Sequence, residues 1–162
     1  MQIIPLTTNE QASSGFTHKI IITYLDWLTE TSGAACGIFP KLSDEATKLV
    51  PIGTRVRACA LQAVTKFVAA SMTDLSVTIG DGGSAARFLS SSEVGGTTSP
   101  ITDGTWYESF AAAPFIYTTA DSIDIVPTAT GAALSALTAG ECHVYLAISD
   151  MQALSNGKNP SF

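Results

Sequence analysis

Charge is scarce in this chain, and positive charge scarcest. Only 8 of 162 residues are Lys or Arg against 14 Asp or Glu, a net charge of −6 at pH 7. Phosphate-backbone binding needs clustered cations. The densest basic pair is Arg55 and Arg57, which alternation places on one strand face, solvated or ion-paired. We therefore predict no nucleic-acid partner. Cysteine is thin as well: Cys36, Cys59 and Cys142 are odd in number, widely spaced and without a Cys-x-x-Cys pair. That excludes a disulfide framework and a thiolate zinc site. Cys59 and Cys142 stand in apolar runs and read as small buried hydrophobes, and a reducing compartment fits. No apolar stretch reaches the roughly 18 residues of a membrane-spanning helix. The opening MQIIPLTTNE lacks both the basic segment and the apolar core of an export signal. The expectation is a soluble protein with no membrane partner.

The side chains of catalysis are few too. Nucleophilic mechanisms pair Ser or Cys with a base, and the chain has only His18 and His143. Cys142 and His143 are neighbours on a predicted strand, so they project to opposite faces. No Gly-x-Ser-x-Gly occurs. Asp121 and Asp124 are the tempting carboxylate pair for a glycosidase, but three-residue spacing splits them, with Asp121 in a turn and Asp124 on the exposed face. Asp81-Gly82-Gly83 opens like a calcium loop, yet the alternate acids and closing Glu are missing, so it reads as a hairpin turn. Gly80, Gly82 and Gly83 form no nucleotide-binding loop. We predict no enzyme, with no catalytic, cofactor-binding or metal-binding residue. Trp106, Tyr107 and Phe110 admit two readings, core packing or an exposed platform for stacking sugars.

Apolar residues are plentiful. They make up 46% of the chain, mean hydropathy is +0.29, and charged residues are 14%. Such a chain folds, and its length fits one domain over 1–162. With so little charge, its surface is built from Ser, Thr, Asn and Gln, or apolar surface is covered by a partner. Leu75–Gly83 gives the clearest pattern: Leu75, Val77 and Ile79 alternate with Ser76 and Thr78, and Asp-Gly closes the run. Asp121–Val126 and Glu141–Ser149 repeat it.

The remaining elements follow from turn signals. Gln2–Leu6, broken by Pro5, reads as an edge strand or an arm (1–8), and Thr7–Thr17 as a loop. His18–Leu28 reads as a strand rich in Ile and aromatics. Thr29–Val50 is a long excursion in which Ser43 could cap one helical turn, with Asp44 and Glu45 behind it. Arg55–Ala69 reads as a strand bent near Phe67, with Val56, Ala58, Ala60 and Gln62 on one face. Ser84–Leu89 reads as a helical turn and Ser90–Gly104 as a loop. Thr105–Ala113 breaks at Pro114, a short strand follows at Phe115–Thr118, and a flexible tail occupies 156–162. The prediction is all-β, a jelly-roll or Greek-key β-sandwich of about seven or eight strands with little helix.

Two segments, LSVTIGDGGSAARFL from Leu75 and YTTADSIDIVPTATGAALSALTAGECHVYLAISD from Tyr117, resemble a pattern of small virion proteins of tailed bacteriophages. Leu75, Val77, Gly80–Gly83 and Phe88-Leu89 match its first part. Ala120-Asp121, Ile123, Thr128, Thr130-Gly131, Leu134, Leu137–Gly140 and Val144-Tyr145 match its second. The resemblance covers about Leu75 to Asp150 and consists of turn and core residues. It implies a structural protein of the phage particle, a capsid decoration (cement) protein of the head, or else a head–tail or tail component. The implied partners are the major capsid protein or other virion proteins and further copies of the chain, with location in the virion after assembly in the host cytoplasm. The alternative from the aromatics is a carbohydrate-binding receptor-recognition module. On the structural reading, an arm at Met1–Thr8 would add a strand to a neighbour's sheet.

Overall fold

Leu75, Val77 and Ile79 are buried while Ser76 and Thr78 are partly exposed, as a strand with one face on a core requires. The same rule organises the computed structural model, which describes residues 1–39 and 49–150. Nine strands follow one another: β1 (Gln2–Pro5), β2 (His18–Thr23), β3 (Cys36–Phe39), β4 (Thr54–Val68), β5 (Asp74–Asp81), β6 (Ser84–Gly95), β7 (Thr105–Ile116), β8 (Ile123–Thr130) and β9 (Ala139–Asp150). Among the described residues one α-helix, α1 (Thr8–Ser14), lies between β1 and β2. The expectation of an all-β fold with little helix holds.

The strands form two sheets. One runs β1-β2-β9-β4-β7 and the other β3-β8-β5-β6. Pairing within β2–β9 follows a simple rule: β2 with β9, β3 with β8, β4 with β7, β5 with β6, all antiparallel. One long ribbon of paired strands is thus wrapped so that β9 meets β4 and β8 meets β5. The sheets join at a seam, where the end of β4 pairs in parallel with the end of β6 through Phe67 and Gly95. The main core lies between them, with Ile20 and Ile22 of β2, Leu61 of β4, Ile79 of β5, Ile125 of β8 and Leu146 of β9 all buried.

Phe67 shows why the seam holds. Its ring packs on Trp27 at 4.5 Å between centroids, and Trp27 is fully buried. A Cβ on Gly95 would lie 2.3 Å from the Phe67 carbonyl oxygen, and one on Gly140 (φ 137°) would lie 2.3 Å from the Phe67 ring. Both glycines let backbone and ring close where a side chain would hold them apart.

Several expectations are corrected. The predicted Thr7–Thr17 loop contains α1. Thr7 caps it, accepting from the Glu10 amide, while the Glu10 carboxylate accepts from the Thr7 amide at 2.8 Å. Gly15 (φ 76°) then ends it, a complete capping box within the Thr-x-x-Glu of the sequence. The predicted strand over His18–Leu28 stops at Thr23, because Tyr24–Trp27 forms a 3-10 turn that carries Trp27 into the core. Ser84–Leu89 is strand, not helix, since a run so short cannot nucleate a helix against pairing with β5. The predicted loop therefore starts after Gly95. The two pieces expected around Pro114 form the single strand β7. Gln2–Pro5 is an edge strand of the chain's own sheet, paired with β2. The capped turn at Ser43 and the tail at 156–162 lie outside the described residues.

Candidate functional site

The most distinctive surface is the outer face of the β1-β2-β9-β4-β7 sheet, and a bulge in β4 creates it. Against β9 the register shifts between Val56, paired with Ile148, and Ala58, paired with Ala147, which leaves Arg57 as an extra residue. Val56 therefore joins Cys59, Leu61 and Ala63 in the main core, while Ala58 and Ala60 turn outward. The single face expected for Val56, Ala58 and Ala60 is split by that one residue. Arg57 is exposed. Arg55 is partly buried, and its Nε has no hydrogen-bond partner.

Ala58, Ala60 and Ala147 floor a second apolar cluster on this face, with Phe16, Leu6 and Tyr145 packed over it. Small residues in the floor let the aromatic rings lie close to the sheet. The segment from α1 to Phe16 is pinned at its base, where the Leu6 amide donates to the Thr17 carbonyl at 2.8 Å. Tyr145 is the hub. Phe16 lies 5.9 Å from it, tilted by 52°, and Trp106 stacks on it at 5.2 Å and 30°. The Lys19 ammonium sits 5.9 Å from the Tyr145 centroid. Trp106 itself is 47% exposed.

Between α1 and the sheet a cleft of about 480 Å³ opens. Glu10, Ser13 and Ser14 line it from the helix, and Trp106, Glu108 and Tyr145 from the sheet. Among the described residues no salt bridge joins Glu10 or Glu108 to a cation. The hydrogen bonds from Thr7 hold the Glu10 carboxyl below its ordinary pKa.

The expected aromatic trio is thus not one platform. Trp106 and Tyr107 are adjacent in β7 and face opposite ways, Trp106 outward and Tyr107 against the main core. The Phe110 side chain lies outside the described residues. The partners that build the real platform, Tyr145 and Phe16, were missed. Tyr145 stands with His143 and Ala147 on the alternate positions of β9, the signal that could have found it.

His143 shares this outer face, its Nε2 2.6 Å from a Glu141 carboxylate oxygen, whereas Cys142 points into the core. They make no pair. Burial lowers the pKa of His143, an effect the Glu141 contact opposes. Burial alone lowers that of His18. The Cys59 and Cys142 thiols are pushed far up by burial.

A second corner gathers carboxylates. Asp81 closes the β5–β6 turn, its Oδ1 accepting from the Gly83 and Ser84 amides at 3.0 and 2.9 Å, and its Oδ2 from Arg87 at 2.5 Å. Asp124 was expected on an exposed face but is only 9% exposed, accepting from the Ser122 hydroxyl at 2.7 Å. Asp121 lies before β8, bridged to Val50, so strand alternation does not separate it from Asp124. Burial raises the Asp124 pKa, and the charges of Asp121 and Asp81 add to it. Among the described residues no three His, Cys, Asp or Glu side chains gather as a metal ion would need. No described helix is long and apolar enough to cross a membrane.

No protein-family model matches the chain, and neither does the sequence of any curated protein. Among solved structures the fold is similar to a chain of the cyanophage Pam1 capsid asymmetric unit, with a TM-score of 0.50 and 19% identity over 79% of each chain. At that identity the likeness is one of fold.

Proposed function

We propose that the chain is a non-enzymatic structural protein of a phage particle, a decoration (cement) protein that binds and stabilises the assembled head shell. The observation that carries this reading is the likeness of fold to a capsid component over most of the chain. The pairing of β2–β9 supports it, because the matching 2·9, 3·8, 4·7 and 5·6 is the pairing a jelly roll would have, an architecture used by viral capsid domains. The virion-protein pattern of Leu75–Asp150 points the same way. So does the outer face of the β9-β4-β7 sheet, where a half-exposed Trp106 stacks on Tyr145 beside an alanine floor, the kind of apolar surface an assembly covers. In this reading the partners are the major capsid protein and further copies of the chain, and nucleic acid is not among them.

The experiment is light scattering of the purified protein, alone and with bare shells from the same particle. A discrete oligomer that adds to shells up to a fixed ratio supports the proposal. A monomer that leaves shell mass unchanged at every concentration sinks it.

A further inference from the structure

We infer that the cleft between α1 and β7 is a receptor for a basic side chain, an arginine or lysine on an extended segment of a protein partner. Three features converge there. Trp106 has one face stacked on Tyr145 and remains half exposed, so an indole face is open at the cleft mouth. The face of an indole attracts cations, and guanidinium best of the protein cations. Glu108 and Glu10 line the same cleft from opposite walls and have no salt-bridged cation among the described residues. Two carboxylates flanking an aromatic face complement a positive charge. Ser13 and Ser14, also in the wall, spend their hydroxyls inward on the Glu10 carbonyl at 3.0 and 2.7 Å, which leaves the carboxylates as the cleft's principal polar groups.

The neighbouring cation does not fill this role. Lys19 stands over Tyr145 at 5.9 Å, and its charge reaches Glu10 only as the least of the influences on that carboxylate, without a place in the cleft wall. A neutral sugar would use the same indole face and could donate hydroxyls to the carboxylates, but it carries no charge and its binding would not depend on salt, and that difference decides the test. The inference deepens the structural role proposed above, since the basic segment would belong to the shell protein, yet the cleft can be probed without a shell.

The probe is a tetra-arginine peptide, followed by tryptophan emission and by calorimetry. Trp27 is fully buried and Trp106 half exposed, so a change in emission reports Trp106. The expected result is saturable binding that is lost as salt approaches about 1 M, where the screening length is ~3 Å. Glu108→Gln should weaken it by on the order of tenfold, and Glu10→Gln by a similar factor. Glu10→Gln keeps the helix cap, because Gln still accepts from the Thr7 amide. Trp106→Ala should abolish binding while Glu141→Gln, elsewhere on the face, leaves it unchanged. Three results would overturn the inference: no binding, binding indifferent to both Gln variants, or salt-independent binding of cellohexaose in its place. Peptide binding without shell binding would keep the cleft and remove the shell reading. Shell binding undiminished by Trp106→Ala would do the reverse.

Discussion

Asp81 shows how much one side chain can fix. Its two oxygens hold two turn amides and the Arg87 guanidinium, and Arg87 in turn lies 4.1 Å over the Phe115 ring of the other sheet. Asp81→Ala removes all three acceptor contacts in a buried place and should cost about 1–3 kcal/mol, measured by urea unfolding. Asp81→Asn keeps the acceptor for the amides and should cost less. The two histidines set a pH dependence. Burial lowers both pKa values, so folding favours the neutral rings. The stability they contribute is complete above their unfolded value of about 6.5 and is lost as pH falls from there through their lower folded-state values. Denaturation midpoints should therefore decline between neutral pH and the carboxylate range, and His143→Gln should shallow the decline. Asp124 has the opposite sign. Its raised pKa makes the charged form unfavourable at neutral pH, so Asp124→Asn should stabilise the protein at pH 7, with the gain shrinking as acid protonates the wild-type group.

At the scale of elements, α1 and the seam make separate predictions. Thr7→Ala breaks the capping box and should lower stability by about 1 kcal/mol, with hydrogen exchange rising first in the amides of α1. Gly95→Ala forces a methyl against the Phe67 backbone and should cost about 1–3 kcal/mol. An unchanged melting curve for this variant would mean the seam is looser than its geometry. The elements also mark how far sequence reaches. β5 and β9 were legible because alternation and turn chemistry agree at Leu75–Gly83 and at Val144, Leu146 and Ile148. α1 was legible in principle, since Thr7 and Glu10 are spaced as a capping box, but its polar seven residues offer no apolar stripe. The β4 bulge had no signal at Arg57. It shows in the register against β9, a property of the assembled sheet.

For the whole molecule, that bulge decides what faces outward, and so the candidate site was the least legible feature. Trp106 could be picked out in the sequence, but its partners Tyr145 of β9 and Glu10 and Phe16 of the α1 segment come from elsewhere in the chain, and only the fold brings them to Trp106 and Glu108 of β7. Asp124 illustrates the same limit: Asp121 lies ahead of β8, as expected, but Asp124, expected on an exposed face, is buried by packing that alternation alone does not reveal. The all-β class was readable because it rests on local alternation, whereas the pairing of β2 with β9 or β4 with β7 depends on contacts far apart in sequence.

We propose that this chain is a structural component of the phage head. The most direct test is to incubate the purified protein with heads that lack it and, separately, with isolated tails, and to measure bound protein by sedimentation. The account predicts saturation on heads at a fixed number of copies per shell, with none retained by tails. Saturable binding to tails, or to neither, would contradict it.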